Sequence, residues 1–337
     1  MGVETLEIIP ERASIVMPRF AHDLPFDPTH GYTFEEMLAV GAPPEPSGYV
    51  EFWRATWAEA TAVDLRLEAR RVASAWRGLE LYEVEYDSLG GVRIGAWLTA
   101  PTERAKVERG LVLGHGYGGR AAPERHRHAS RQATIMPCAR GFHRSARADL
   151  PDNAERHVVH GIGRRETYIH RGCVADYWLA GSALLSLFPD LAGRLDYGGG
   201  SFGGGIGAMA LAWDKRVRRA QLGVPSFGNH PLRLTLADHG SGSAVKAYVD
   251  DHPEVVDVLA YFDAATAARR IEVPVLFDCA LFDPAVPPAG QFAVHNACPQ
   301  PKSLHVRRAG HFEYDAMTDE RRLIRAADRF FGMEGAA

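Results

Sequence analysis

Tyr197-Gly198-Gly199-Gly200-Ser201-Phe202-Gly203-Gly204-Gly205 is the stretch whose reading decides the fold. Within it Gly199-Gly200-Ser201-Phe202-Gly203 fits G-x-S-x-G, between a strand candidate at Leu195–Gly198 and a helix candidate at Phe202–Trp213. Turning from strand to helix in so few residues strains the backbone at the serine, which is tolerated where its neighbours lack side chains. Gly199 and Gly203 are therefore read as elbow glycines. The turn projects the Ser201 Oγ outward at a helix N-terminus and directs the Phe202 amide at a developing oxyanion. The glycines at 198, 200 and 203 also fit a dinucleotide loop, which needs an acid about 20 residues on. Arg219-Ala220-Gln221-Leu222-Gly223 supplies none there, so the elbow reading stands.

An elbow serine needs an acid and a histidine, in the chain order Ser, Asp, His. Val273–Ala280 is an apolar strand that runs into Leu281-Phe282-Asp283-Pro284. An Asp just after a parallel strand lies at the sheet edge that also carries the elbow. Asp283 is therefore preferred to Asp278, which falls inside the strand. The strand Lys302–Val306 leads to Ala309-Gly310-His311-Phe312-Glu313, and of fifteen histidines only His311 lies between the last strand and the closing helix, Asp319–Phe331. The second oxyanion donor comes from a loop after an early strand, Gly110–Leu113. There His115-Gly116-Tyr117-Gly118-Gly119 offers the Tyr117 amide, while His115 is read as holding the loop.

Upstream, residues 10–48 carry many prolines and read as an extended wrapping segment. Phe52, Trp53, Trp57, Ala60, Val63 and Leu67 recur at helical spacing, which predicts an amphipathic helix within Val50–Trp76. Leu79–Tyr86 and Val92–Leu98 alternate around Leu89-Gly90-Gly91, which predicts a hairpin. Arg125–Cys138 reads as loop and then helix, Thr167–Phe188 as a long helix, Ala220–Val224 as a strand and Gly290–Ala297 as a helix. Such alternation predicts an α/β fold with a mainly parallel sheet flanked by helices. The division expected is an N-terminal arm and packing helix (1–79) and a catalytic domain (80–333).

The 337 residues carry a net charge of −4 with 46% apolar content, which removes the basic footprint of a nucleic-acid binder. No apolar run approaches the roughly 20 residues of a membrane span. The N-terminus lacks a basic flank followed by an apolar stretch, and Leu6 breaks a myristoylation pattern. Cys138, Cys173, Cys279 and Cys298 are too scattered for a zinc or disulfide framework, so free thiols and a cytoplasmic protein are expected. No cofactor and no metal are expected. The basic, His-rich stretch Arg120–Arg131 reads as a solvated loop, or else a rim attracting anions. Trp178, Phe227 and Phe282 read as core, or else as lining of an acyl pocket.

Taken together, these motifs resemble the acetyl xylan esterase/cephalosporin C deacetylase family, from about Val50 to the C-terminus. The resemblance runs through Glu51-Phe52-Trp53, the hairpin, His115–Arg120, Tyr168-Ile169-His170-Arg171-Gly172, the elbow, Tyr261-Phe262-Asp263, Asp283 before Pro287-Pro288, and His311. It implies the α/β-hydrolase fold and a cofactor-free serine esterase that removes acetyl-type groups from sugars or related small alcohols. A peptidase or carbon–carbon hydrolase with the same triad, or a non-catalytic binding protein on this fold, are the alternatives. Three departures stand out. Phe202 replaces the family's Gln, Phe312 separates His311 from Glu313, and the family's Arg-Gly-Gln has no counterpart in Ser145–Asn153. Because that last stretch supports the family's hexameric ring, a homodimer is expected here.

Overall fold

The computed structural model describes residues 15–299 and 301–333. Residues 1–14, which carry the expectations about a leader and the start of the arm, lie outside the described residues. Nine strands form one sheet: β1 (Glu68–Val72), β2 (Leu79–Ser88), β3 (Val92–Pro101), β4 (Arg109–Leu113), β5 (Gln132–Pro137), β6 (Leu195–Gly200), β7 (Val217–Gly223), β8 (Val275–Ala280) and β9 (Lys302–Arg307). Their order is β1-β2-β3-β5-β4-β6-β7-β8-β9. Pairing is antiparallel from β1 to β5 and parallel from β5 to β9. The β2–β3 hairpin closes in register at Ser88 and Val92, around the glycine turn the sequence predicts.

Two elements depart from the sequence reading. The helix expected within Val50–Trp76 spans Tyr49–Thr61 and stops well short of Trp76. Beyond Asp64 the period becomes two, as Leu65, Leu67 and Ala69 alternate with Arg66, Glu68 and Arg70. That segment gains a ladder of hydrogen bonds by becoming edge strand β1 beside β2. Charge guards this exposed edge, with Arg71 reaching Glu80 at 3.2 Å and Arg70 paired to Glu83. The helix expected within Arg125–Cys138 is instead turns followed by β5, buried along its whole length. Ala133–Met136, apolar but for Thr134, is too short for its period to separate strand from helix, and ladders on both sides decide for strand.

Two residues after β5 stands Arg140-Gly141-Phe142, an Arg-Gly pair that lies before the Ser145–Asn153 stretch. Arg140 is buried against Asp176, with Nη2 to Oδ1 at 2.7 Å and Nε to Oδ2 at 3.0 Å. A further bond to the Leu89 carbonyl at 3.0 Å ties the hairpin turn to the helix Ile169–Leu187. Removing either partner of such a pair strands a buried charge, at a cost of about 3–5 kcal/mol.

Helices Ile169–Leu187, Phe202–Leu211 and Pro288–Ala297 pack on one sheet face, and Tyr49–Thr61 lies over the first of them. Trp53 anchors that outer helix, its Nε1 donating to the Tyr261 carbonyl at 2.9 Å. On the opposite face the helix Met317–Phe331 covers β8 and β9. Helices on both faces of a mostly parallel sheet give the α/β-hydrolase fold. No helix among the described residues is long and apolar enough to cross a membrane. All four cysteines are buried and free.

Candidate active site

Strand β6 ends at Gly200, and the helix Phe202–Leu211 begins one residue after Ser201. Ser201 is held at φ 55°, ψ −118°, outside the ordinary basins for a side-chain-bearing residue. Such strain costs about 1–3 kcal/mol and persists only where the surroundings impose it. They do so here through the Ser201 amide donating to the Gly223 carbonyl at 2.9 Å and the Gly205 amide donating back to Ser201 at 3.0 Å. A Cβ at Gly203 would lie 2.8 Å from the His115 carbonyl oxygen, and one at Gly199 would lie 2.6 Å from the Gly203 oxygen. Both elbow glycines are thus required by backbone approaching backbone.

Ser201, Asp283 and His311 are brought together from the ends of β6, β8 and β9. His311 Nε2 lies 2.9 Å from Ser201 Oγ, and Nδ1 lies 3.0 and 2.8 Å from the two Asp283 oxygens. Gly310 makes that approach possible, since a Cβ there would stand 2.4 Å from Asp283 Oδ2. Asp283 is fully buried and accepts from the amides of Ala285 and Val286 at 3.0 and 2.9 Å. Burial opposes a charge on His311, but the hydrogen bond and charge of Asp283 outweigh it and raise the imidazole above its ordinary 6.5.

The loop after β4 runs beside the elbow, and a Cβ on Gly116 would sit 3.9 Å from that of Ser201. Tyr117 anchors this loop from behind. Its hydroxyl lies 3.0 Å from His170 Nε2 and 3.3 Å from His157 Nδ1, and its ring packs 4.4 Å from that of Phe202. His115 accepts from the Ala139 amide at Nε2 (2.9 Å), and its Nδ1 is 2.6 Å from the Gly116 carbonyl. Burial pushes this ring down to about 4, so it stays neutral and braces the loop, as the sequence suggests. Asp278 is occupied elsewhere, by His305 Nδ1 at 2.8 Å and Arg307 Nε at 3.0 Å.

Arg120–Arg131 is exposed at Glu124, Arg125, Arg127 and Ser130, as a solvated loop would be, but turns inward at two of its basic residues. Arg120 is buried, bonded to the Leu113 carbonyl and to Glu124, both at 2.8 Å, and His128 is buried as well. Trp178, Phe227 and Phe282 are all buried.

The sequence reading missed Gln291, whose Nε2 donates to Asp283 Oδ2 at 3.0 Å, and Pro28, whose carbonyl takes the Asp283 amide at 3.3 Å. Neither has a local signature, because a contact partner drawn from a distant element leaves no pattern in its own neighbourhood. Pro28 belongs to a segment that lies along the two loops carrying the acid and the histidine. Phe20, from the same segment, packs 5.0 Å from the Phe282 ring and 5.3 Å from Phe312. Among the described residues no group is placed to hold a metal ion.

Among solved structures, the chain is similar to the acetyl xylan esterase from Paenibacillus sp. R4, with 22% identity and a TM-score of 0.77 over 89% of this chain and 100% of that one. It is similar to acetyl xylan esterase 1 from Thermoanaerobacterium sp. JW/SL YS485 at 21% identity and a TM-score of 0.76, over 91% and 98% of the two chains. An acylaminoacyl peptidase from Pyrococcus horikoshii, at 13% identity and a TM-score of 0.57, matches 81% of this chain with 42% of its own. Identities this low speak for the fold alone. The family model described as Acetyl xylan esterase (AXE1) matches residues 22–328, a span holding the elbow, the acid and the histidine. The chain therefore belongs to the acetyl xylan esterase (AXE1) family and is a carboxylic-ester hydrolase.

Proposed function

We propose that the protein is a serine esterase that hydrolyses short-chain, acetyl-type esters of sugars or related small alcohols. The hydrogen-bonded line from Asp283 through His311 to Ser201, set in a strained elbow, carries this reading. His311 Nε2 takes the hydroxyl proton as Ser201 Oγ attacks the ester carbonyl carbon, while Asp283 stabilises the imidazolium. The amides of Tyr117 and Phe202 receive the oxyanion. The tetrahedral intermediate expels the alcohol, which leaves with the proton from His311. Water, deprotonated by the same ring, then releases the acid. A fluorophosphonate probe tests the nucleophile directly. Labelling confined to Ser201 is expected, and a protein that stays unlabelled removes the reading.

The basic form of His311 is the working one, so activity is expected to rise with pH as that ring loses its proton. Because Asp283 holds the imidazole above 6.5, the acid limb of kcat/KM has its midpoint above 6.5. A pH–rate profile whose acid limb falls below that value contradicts the assignment.

The rings of Phe202, Tyr117 and Phe227 fill the space behind the oxyanion loop, Phe202 being fully buried. Acetyl to butyryl esters are therefore expected to be cleaved in preference to octanoyl and longer ones. A p-nitrophenyl ester series with its maximum at long chains is the contrary result.

The assembly proposed is a dimer. Its support is the segment that places Phe20 and Pro28 against the site from within one chain, so that no neighbouring subunit is needed to wall it. Light scattering should give a mass near twice 36.9 kDa. A mass near six times that value would restore the ring the resemblance implies.

A further inference from the structure

We propose that a cavity on the sheet face away from the helix Ile169–Leu187 is a binding site for a neutral, polyhydroxylated small molecule. The cavity holds about 470 Å³ and lies between the sheet, the helix Met317–Phe331 and the loop before β5. That size suits a small sugar or polyol. Two features of the chain create it. The helix expected within Arg125–Cys138 does not form, so nothing regular covers β4 and β6 beside Met317–Phe331. The sheet is also bare there, since a Cβ on Gly200 or Gly223 would meet nothing nearer than 3.7 Å.

The wall selects the chemistry. Its formal charges are compensated within the protein, Asp278 by Arg307 and His305, and Arg120 by Glu124 at 2.8 Å. An ionic ligand would give up its hydration and find no free counter-charge. A hydrocarbon fails for the opposite reason. Gln221 lines the cavity half-buried, and its carboxamide makes no hydrogen bond among the described residues. Arg307 spends two of its three nitrogens on Asp278. Sealing such groups under an apolar ligand would leave their hydrogen-bonding capacity unmet and disfavour binding. Leu113, Leu323 and Phe331 add apolar surface to the same wall. A molecule with hydroxyls on its rim and C–H groups on its faces satisfies both.

The site is distinct from the proposed catalytic one, because Ser201, Asp283 and His311 do not line it. It nevertheless touches the back of that machinery. Gly200 and Gly116 form part of its wall, each one residue before Ser201 and Tyr117. The proposal does not depend on the catalytic role of Ser201.

Calorimetric titration of the full chain with glucose and xylitol, against gluconate and cyclohexanol, tests it. Glucose or xylitol should bind saturably, with gluconate and cyclohexanol at least about tenfold weaker. Gln221→Leu, which keeps the volume and removes the polar group, and Leu323→Trp, which fills the space, should each weaken polyol binding by about tenfold or more. Hydrolysis of p-nitrophenyl acetate without polyol should stay near native in both, showing an intact fold and separating the cavity from the catalytic cleft. If Leu323→Trp fails to fold, Gln221→Leu carries the comparison alone. Absence of binding to the native protein, undiminished binding to the folded variants, or preference for gluconate or cyclohexanol overturns the proposal.

Discussion

Ser201→Ala is expected to lower kcat by about 10⁴- to 10⁶-fold while the fold and the affinity for substrate change little. The substitution removes one oxygen that stands 2.9 Å from His311 Nε2 and leaves the backbone donors of the elbow and of the Tyr117 loop in position. Those donors and the binding site alone sustain a residual rate about 10³–10⁴ above the uncatalysed one in triad enzymes generally. The strained conformation at residue 201 is imposed by the Gly223 and Gly205 hydrogen bonds, which alanine keeps. Circular dichroism and KM should therefore resemble the native protein. Turnover of p-nitrophenyl acetate close to normal in this variant would falsify the assignment of the nucleophile.

Asp283→Asn should lower kcat by about 10⁴-fold, through the tautomer of His311 rather than through lost packing. Every partner of Asp283 is a donor: two backbone amides and His311 Nδ1 on Oδ1, with Gln291 Nε2 and His311 Nδ1 on Oδ2. An asparagine must point its NH₂ at one of these sets. Placed at the Oδ2 position, the nearer to His311, it opposes Gln291 Nε2, makes His311 Nδ1 an acceptor and leaves the proton on Nε2, the nitrogen that has to receive the serine proton. Turned the other way, it opposes donors in a fully buried site. The variant has a second signature, since the carboxylate is what lifts His311 above 6.5. Residual activity should show its acid limb at lower pH than the native enzyme. A variant with native kcat would exclude Asp283 as the orienting acid.

The elbow was legible because its composition is forced. Few sequences other than small residues around a serine can make that turn, and Gly203 meets a carbonyl oxygen where any side chain would stand. Asp283 and His311 were legible from position, each just past an apolar strand. β5 was not, because Ala133–Met136 is short and, but for Thr134, apolar on both faces, and only the flanking strands β3 and β4 determine its state. β1 was hidden by the strength of the preceding helix pattern. Gln291, His157 and His170 are illegible in principle, since each acts on a loop made by another part of the chain.

The segment carrying Phe20 and Pro28 has a consequence for how the molecule comes into being. These residues are made well before Phe282, Asp283 and Phe312, which they clasp. Contacts between residues so far apart in sequence are slow to form, because the entropy of closing the loop is lost before they can repay it. A nascent chain can build the hairpin and the β4–β6 region while its N-terminal segment still has nothing to hold. The acid and histidine loops can be fastened only once residues 282–312 have been made, so acquisition of activity should trail behind burial of the core during refolding from denaturant.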